Sequence, residues 1–304
     1  MKIINCKYTL VTVWVLSVLL IGVSTPVMAQ DEPVTEPEQK ASEFKPVKNT
    51  FESVFLFDNQ TTLVPAKGTF EMDIQHRFGT VNNGYDDFFG LYAPSNIRIG
   101  FAYSPIEKLY VGFGFAKINL TWDFSAKYAI LQQMKSGGSP VSITYYGNAA
   151  ADTRDKENFV NSTDRFSFFN QIIISRKVTD ALSVQVSPSL SHFNAVEGYI
   201  NTEGKIDSKI KNDHIAIAFG GRYKVSNGMA VIVNYDQPIT KHTTNNPHPN
   251  ISFGIEVSTS SHAFQVFAGN YSSIIPQLNN MYNKNDYRDS EFLIGFNITR
   301  LWSF

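Results

Sequence analysis

Between Glu291 and Phe304 apolar and polar residues take turns. Phe292, Ile294, Phe296, Ile298, Trp302 and Phe304 share one parity, and Glu291, Gly295, Asn297, Thr299 and Ser303 share the other. Side chains of an extended strand point alternately to opposite faces, so a period of two gives one apolar and one polar face. The pattern recurs upstream. Its clearest instance sets Phe70, Met72, Ile74, His76 and Phe78 against Glu71, Asp73, Gln75 and Arg77. A chain built from such segments has to place a continuous apolar sheet face either in a protein core or in lipid.

The amino terminus bears on that choice. Lys2 and Lys7 precede an apolar run from Leu10 to Val23, and Val27-Met28-Ala29 forms a small-residue cleavage site. Residues 1–29 therefore read as a secretory signal peptide, with the mature chain beginning near Gln30. The run falls short of the roughly 20 residues of a spanning helix. The single cysteine, Cys6, goes with the signal, which leaves no disulfide, thiolate metal site or cysteine nucleophile. No later segment matches a spanning helix in length. Only helices and closed barrels span a bilayer, so an exported integral chain of this kind is expected to be a barrel. The competing architecture is a secreted β-sandwich. A formal net charge of −1 gives no footprint for nucleic acid.

Twelve alternating strands follow from Thr69: near Thr69–Phe78, Asn96–Tyr103, Leu109–Lys117, Leu120–Ile130, Val141–Ala149, Arg165–Ser175, Leu182–Phe193, His214–Lys224, Met229–Asp236, Ile251–Val257, Ala263–Tyr271 and the terminal strand. Most approach the 9–11 residues that a tilted strand needs to cross. Their connections mostly alternate short and long, as periplasmic turns and outer loops do in bacterial barrels. The expected fold is thus all-β, a transmembrane antiparallel up-and-down β-barrel of about twelve strands. Its place is the outer membrane of a Gram-negative bacterium, with both termini periplasmic. Residues 30–48, acidic and proline-rich, read as a disordered periplasmic linker. Residues 49–304 form the barrel domain, within which 49–68 stay open between an extra strand, a plug and a periplasmic segment.

Parity assigns the faces. Phe70, Ile74, Ile99, Phe101, Val111, Phe113, Phe124, Ile172, Val231, Val233, Phe253 and Ile255 are among those expected to face lipid. The opposite parity collects charge of both signs. Asp73, Arg77, Arg98, Asp123, Lys127, Arg222 and Glu256 are the expected lumen lining, joined by Glu71, Lys224, Asp236 and Glu291. Gly112 and Gly114 fall on the same inward parity and relieve crowding there. A balanced lining fits either a hydrophilic pore without strong ion preference or an internal salt-bridge network that carries nothing. Twelve strands lie between the small filled barrels and the 16–18-stranded porins.

No set of residues suited to catalysis emerges. Ser191 and His192 are adjacent on a strand, so they point to opposite faces and do not pair. His242 and His248 lie in one outer loop without a companion ligand, which reads as a solvated loop. Nucleotide, haem, zinc-protease and calcium-loop motifs are missing from the sequence. No enzyme activity, metal or cofactor is expected.

Several strings in order along the chain carry a family likeness: Thr50-Phe51-Glu52-Ser53, His76-Arg77-Phe78-Gly79, Phe89-Gly90-Leu91, Asn96-Ile97-Arg98-Ile99-Gly100, Val111-Gly112-Phe113-Gly114, Lys127-Tyr128 and Gly295-Phe296-Asn297-Ile298-Thr299-Arg300. On these the chain resembles the membrane β-barrel family classed as domain of unknown function 5777, found mainly in Bacteroidota. The resemblance spans roughly Thr50 to Phe304. It implies an outer-membrane barrel and supplies no activity, substrate or catalytic residue. Two roles follow as expectations. One is a passive channel for small hydrophilic solutes. The other is a non-conducting structural or partner-binding barrel that acts through its outer loops or N-terminal segment. The expected partners are outer-membrane lipid and the barrel-assembly machinery, the latter through the C-terminal strand ending at Phe304.

Overall fold

The computed structural model describes residues 45–48 and 50–304; the expected signal peptide and most of the expected linker lie outside the described residues. In chain order the elements are β1 (Phe55–Leu56), β2 (Asn59–Gln60), β3 (Thr69–Thr80), β4 (Asn96–Ile106), β5 (Leu109–Ala116), β6 (Thr121–Leu131), β7 (Ser142–Ala151), β8 (Phe166–Lys177), β9 (Leu182–Phe193), β10 (Gly198–Ile200), β11 (Ile206–Ser208), β12 (Asp213–Ser226), β13 (Met229–Pro238), β14 (Asn250–Ser258), β15 (His262–Gly269), α1 (Pro276–Tyr282) and β16 (Leu293–Ser303). Twelve of these strands, β3–β9 and β12–β16, form one closed antiparallel barrel. β16 closes the ring on β3, with Ser303 opposite Thr69 and Trp302 opposite Phe70. No helix among the described residues is long and apolar enough to cross a membrane, which says nothing against crossing by strands.

Each of the twelve strands lies where the alternation put it. On β3 the burial pattern alternates residue by residue from Thr69 to Phe78, with Glu71, Asp73, Gln75 and Arg77 buried. The opposite face of the sheet is apolar and exposed, as at Phe113, Phe124, Val231, Val233 and Phe253. Rings there make a continuous chain across five neighbouring strands, from Trp302 through Phe70, Phe101 and Phe113 to Phe124, with successive centroids 5.6, 6.2, 5.5 and 6.4 Å apart. Such an outward band is what lipid demands of a barrel.

The short connections follow from turn chemistry. Between β12 and β13 the chain turns at Asn227-Gly228. Gly228 has φ +83°, and a Cβ there would press on the Ser258 carbonyl. The β8–β9 ladder is interrupted in mid-strand: the two pair at Gln171–Ser189 and resume at Ile174–Val186. Pro188 lies in the gap and has no N–H to donate.

Two segments depart from an up-and-down barrel. The chain from Phe51 to Leu63 lies inside the ring, where β1 and β2 pair only with each other. At the other end, α1 lies in the long connection expected to form an outer loop. It turns inward, with Gln277, Asn279 and Met281 buried. The last residues of the expected linker also make defined contacts. Pro46 bridges Met134, Val47 N–H donates to the Gln133 carbonyl at 2.8 Å, and Lys135 N–H donates to the Lys45 carbonyl at 2.9 Å.

Candidate functional site

The lumen is the natural place to look for function, and the N-terminal segment decides its character. With two strands of two residues each, the segment satisfies few of its own backbone groups. Buried carbonyls need partners, and inward side chains of the barrel supply them. Gln265 Nε2 donates to the Phe55 carbonyl at 2.9 Å, Asn297 Nδ2 to Phe57 at 2.6 Å, Gln185 Nε2 to Gln60 at 3.0 Å, Lys127 Nζ to Thr61 at 3.4 Å and Thr144 Oγ1 to Thr62 at 3.3 Å. Apolar contacts complete the hold. Phe51, Leu56 and Phe57 pack with Ile232, Phe267 and Tyr271, and the Phe57 and Phe267 rings stack at 4.3 Å. Tyr146, Phe169 and Ile173 form a further apolar cluster on the inward face.

The seven charged residues that parity assigned to the lumen are all buried. The structure sorts them into separate groups. Arg98 bridges Asp73 at 3.0 Å and Asp123 at 2.8 Å. Asp73, Gly100, Gly114 and Asp123 stand opposite one another in a row across β3, β4, β5 and β6. A Cβ on either glycine would collide with the Arg98 guanidinium. The bare backbone of those two residues is thus the bed on which the guanidinium lies between its carboxylates. Arg222 and Glu256 form a second pair at 2.8 Å. Arg77 and Lys127 have neutral partners instead. Arg77 donates to Asn297 Oδ1 at 2.9 Å and lies 4.6 Å over the Phe267 ring. Lys127 lies 5.0 Å over Tyr110, whose hydroxyl donates to Glu71 at 2.7 Å. The expected lumen lining is therefore engaged with the barrel wall and the inner segment rather than facing an open bore. Of the other inward-parity charges, Asp236 is buried, whereas Lys224 is exposed and Glu291 half-buried near strand ends.

Asp58, at the tip of the β1–β2 turn, joins the inner segment to α1. Its carboxylate accepts from Tyr271 Oη at 2.9 Å and from Asn279 Nδ2 at 2.7 Å. Next to it, Asn59 Nδ2 donates to both oxygens of Asp236, at 2.8 and 3.0 Å. Burial pushes the Asp58 carboxyl above its ordinary value, against the smaller opposing pull of Arg77. Asp58 also lines a chamber of about 30 Å³ bounded by Gln60, Asp73, Arg98, Asp123 and Tyr110. That is room for water and not for a solute. On the opposite side of the lumen from the turns, Gln277 Nε2 donates to Asn148 Oδ1 at 3.1 Å and to Ser167 Oγ at 3.2 Å.

Sequence reasoning missed the uncharged half of this site. Gln185, Gln265, Asn297, Asn59 and Asn279 do much of the holding, and they carry no charge to draw the eye. The signal that was available is inward parity on β9, β15 and β16. The histidines also differ from a solvated loop. His242 is buried and its Nε2 lies 2.9 Å from His214 Nδ1, while His248 Nδ1 lies 3.3 Å from Asp286. Ser191 is buried and His192, on the opposite parity, is half-buried and hydrogen-bonded to Asp213 at 2.8 Å, so the two point apart. No group of three or more His, Cys, Asp or Glu suited to a metal occurs among the described residues.

A closed antiparallel ring with an apolar outer band and a polar, occupied interior defines a membrane β-barrel. The chain belongs to the family described as "membrane bound beta barrel domain" (DUF5777), whose model matches residues 51–302. Among solved structures it is similar to the NanC porin, at 9% identity over 77% of this chain and 99% of that one, with a TM-score of 0.46. It is also similar to the KdgM porin (12% identity, 77% and 99%, TM-score 0.43) and to an outer-membrane channel from Pseudomonas putida F1 (11%, 79% and 97%, TM-score 0.46). Likeness of this degree carries no argument about activity. No curated protein matches the chain in sequence.

Proposed function

We propose that the protein is an outer-membrane barrel held shut by its own chain, with both ends on the periplasmic side. Residues 51–63 plug the inner half of the lumen and α1 the outer half. What carries this reading is the set of inner-segment carbonyls bonded by side chains from β3, β6, β7, β9, β15 and β16, all around the ring. A passive solute channel requires a continuous aqueous path, and buried pairs such as Arg222–Glu256 and the Asp73–Arg98–Asp123 bridge fit a filled interior better. The role that follows is that of a non-conducting barrel acting through its outer loops or N-terminal segment on a partner. Refolded protein in planar bilayers and in solute-swelling assays is expected to be silent. Reproducible single-channel steps from the unmodified chain, with matching swelling in small sugars, would overturn the reading in favour of a pore.

A further inference from the structure

On β8 the residues Phe169, Gln171, Ile173 and Ser175 are buried in the lumen, and the alternate ones face outward. That outward row passes from Ile172 and Ile174 to Arg176 at the turn end of the strand. Its neighbours are aliphatic. Arg176 stands opposite Val184 of β9, and Ile174 stands opposite Ile143 of β7. A guanidinium therefore leaves the lipid side of the wall. Its Nε is buried without a hydrogen-bond partner, and no ion pair reaches the group among the described residues. An arginine at a membrane margin lays its stem along apolar surface and turns its head towards the headgroups. Hydrocarbon offers no acceptor, so such a group is costly until an anion meets it.

Arg176 lines a groove of about 910 Å³ between the β6–β7 connection and the β8–β9 turn. Lys48, Lys135 and Lys177 share it with a single acid, Asp180. None of these lysines is ion-paired among the described residues, and the Lys177 ammonium donates to the Lys48 carbonyl at 3.4 Å. In the β6–β7 wall Gly137 and Gly138 have φ +60° and +85°, so the chain turns back there without side chains that would fill the groove. Val178, exposed in the groove's opposite wall, carries the apolar outer face up to its rim. We propose that this groove binds the headgroup phosphate of an anionic phospholipid, whose acyl chains lie down the outward face of β8 and β9. Four cations against one acid favour a headgroup of net negative charge. A zwitterionic lipid brings its own cation and gains less. The lipid-side position of Arg176 favours a phosphate that comes with acyl chains over a free one. The site needs only that the barrel spans a membrane. It is independent of which leaflet the turns face and of whether the lumen conducts.

The refolded barrel in detergent can be titrated with phosphatidylglycerol or with phosphatidylcholine of the same acyl chains, and the bound lipid counted by native mass spectrometry. Phosphatidylglycerol is expected to be retained at one per chain, with about tenfold higher affinity than phosphatidylcholine. Arg176→Gln should bring it down to the phosphatidylcholine level. Lys135→Gln, on the exposed connection, should weaken it several-fold. Lys205→Gln, exposed at the long-loop end, should leave it unchanged. Heat-sensitive gel migration identifies the folded variants, and if Arg176→Gln does not fold, Lys135→Gln decides. Millimolar inorganic phosphate should not displace the lipid. Equal retention of the two lipids overturns the proposal, as does a preference for phosphatidylglycerol that survives the substitutions. Displacement by inorganic phosphate means that the groove takes a free anion, and the lipid site is then wrong.

Discussion

Arg98 shows how much of a buried charge's setting is made by residues that carry nothing. The guanidinium lies over Gly100 and Gly114 between Asp73 and Asp123, and Asn148 Nδ2 donates to Asp123 at 2.9 Å. Truncating it strands two buried carboxylates. Arg98→Ala is therefore expected to cost roughly 3–5 kcal/mol, read as a loss in the denaturant midpoint of the refolded barrel. Gly114→Ala is expected to destabilise more than Gly112→Ala. A Cβ at 114 meets the guanidinium head-on, whereas one at 112 meets the Ala102 methyl and Ser125 Oγ at 3.1 Å. A reversed order in the same assay would mean that the guanidinium does not lie on that backbone. The residue at the turn tip gives a pH dependence. Asp58 has its carboxyl raised above 3.8 by burial, beside Arg77, Tyr271 and Asp236. A raised carboxyl binds its proton more tightly in the folded state. Its contribution is thus fully present below 3.8 and fades as pH climbs through the raised value. Proteolytic release of the inner segment should accordingly be slower at mildly acidic than at alkaline pH, and Asp58→Asn should flatten that dependence. The charges at these positions were visible from parity, but their partners were not. Arg98 reaches Asp123 across an intervening strand, and no pattern along one chain encodes that step.

At the level of elements, legibility followed the physics of the solvent. All twelve barrel strands could be read because lipid on one side and polar groups on the other enforce a period of two along each. The inner segment stayed ambiguous for the opposite reason. β1 and β2 are two residues each and buried on both faces, so there is no alternation to read. α1 hid similarly: its seven residues bury Gln277 and Asn279, which in a sequence look like loop. What holds the inner segment is also testable. Phe57 is fully buried against Phe267, and large-to-small changes at such sites cost about 3–5 kcal/mol. Phe57→Ala should therefore loosen the inner segment selectively. Hydrogen exchange is expected to rise across residues 51–63 while β3–β9 and β12–β16 keep their protection, because the ladder bonds of the ring do not pass through Phe57. Uniform loss of protection would show that the segment and the barrel melt as one unit.

For the whole molecule, the arrangement of the two obstructions matters more than either alone. The inner segment enters from the end where the short turns lie, beside Gly68 and Phe304, and α1 folds in from the long-loop end. They meet at the hydrogen bond from Asn279 to Asp58, so in the proposed reading they block the bore in series. Resistances in series are set by the larger, and removing one obstruction leaves the other in place. A chain lacking residues 30–63 is therefore expected to remain nearly silent in a planar bilayer. The same holds for a chain in which residues 274–285 are replaced by a glycine–serine linker. Only the double variant should show large steps. Its current should carry no strong ion preference, since the exposed wall keeps both the Asp73–Arg98–Asp123 bridge and the Arg222–Glu256 pair. Coupling adds a finer expectation. Each deletion removes a partner of Asp58 or Asp58 itself, so the remaining obstruction loses part of its anchoring. The single variants should then flicker, with brief openings absent from the unmodified chain. If either single deletion alone gives the full conductance of the double variant, the other element does not span the bore, and the barrel has one plug rather than two.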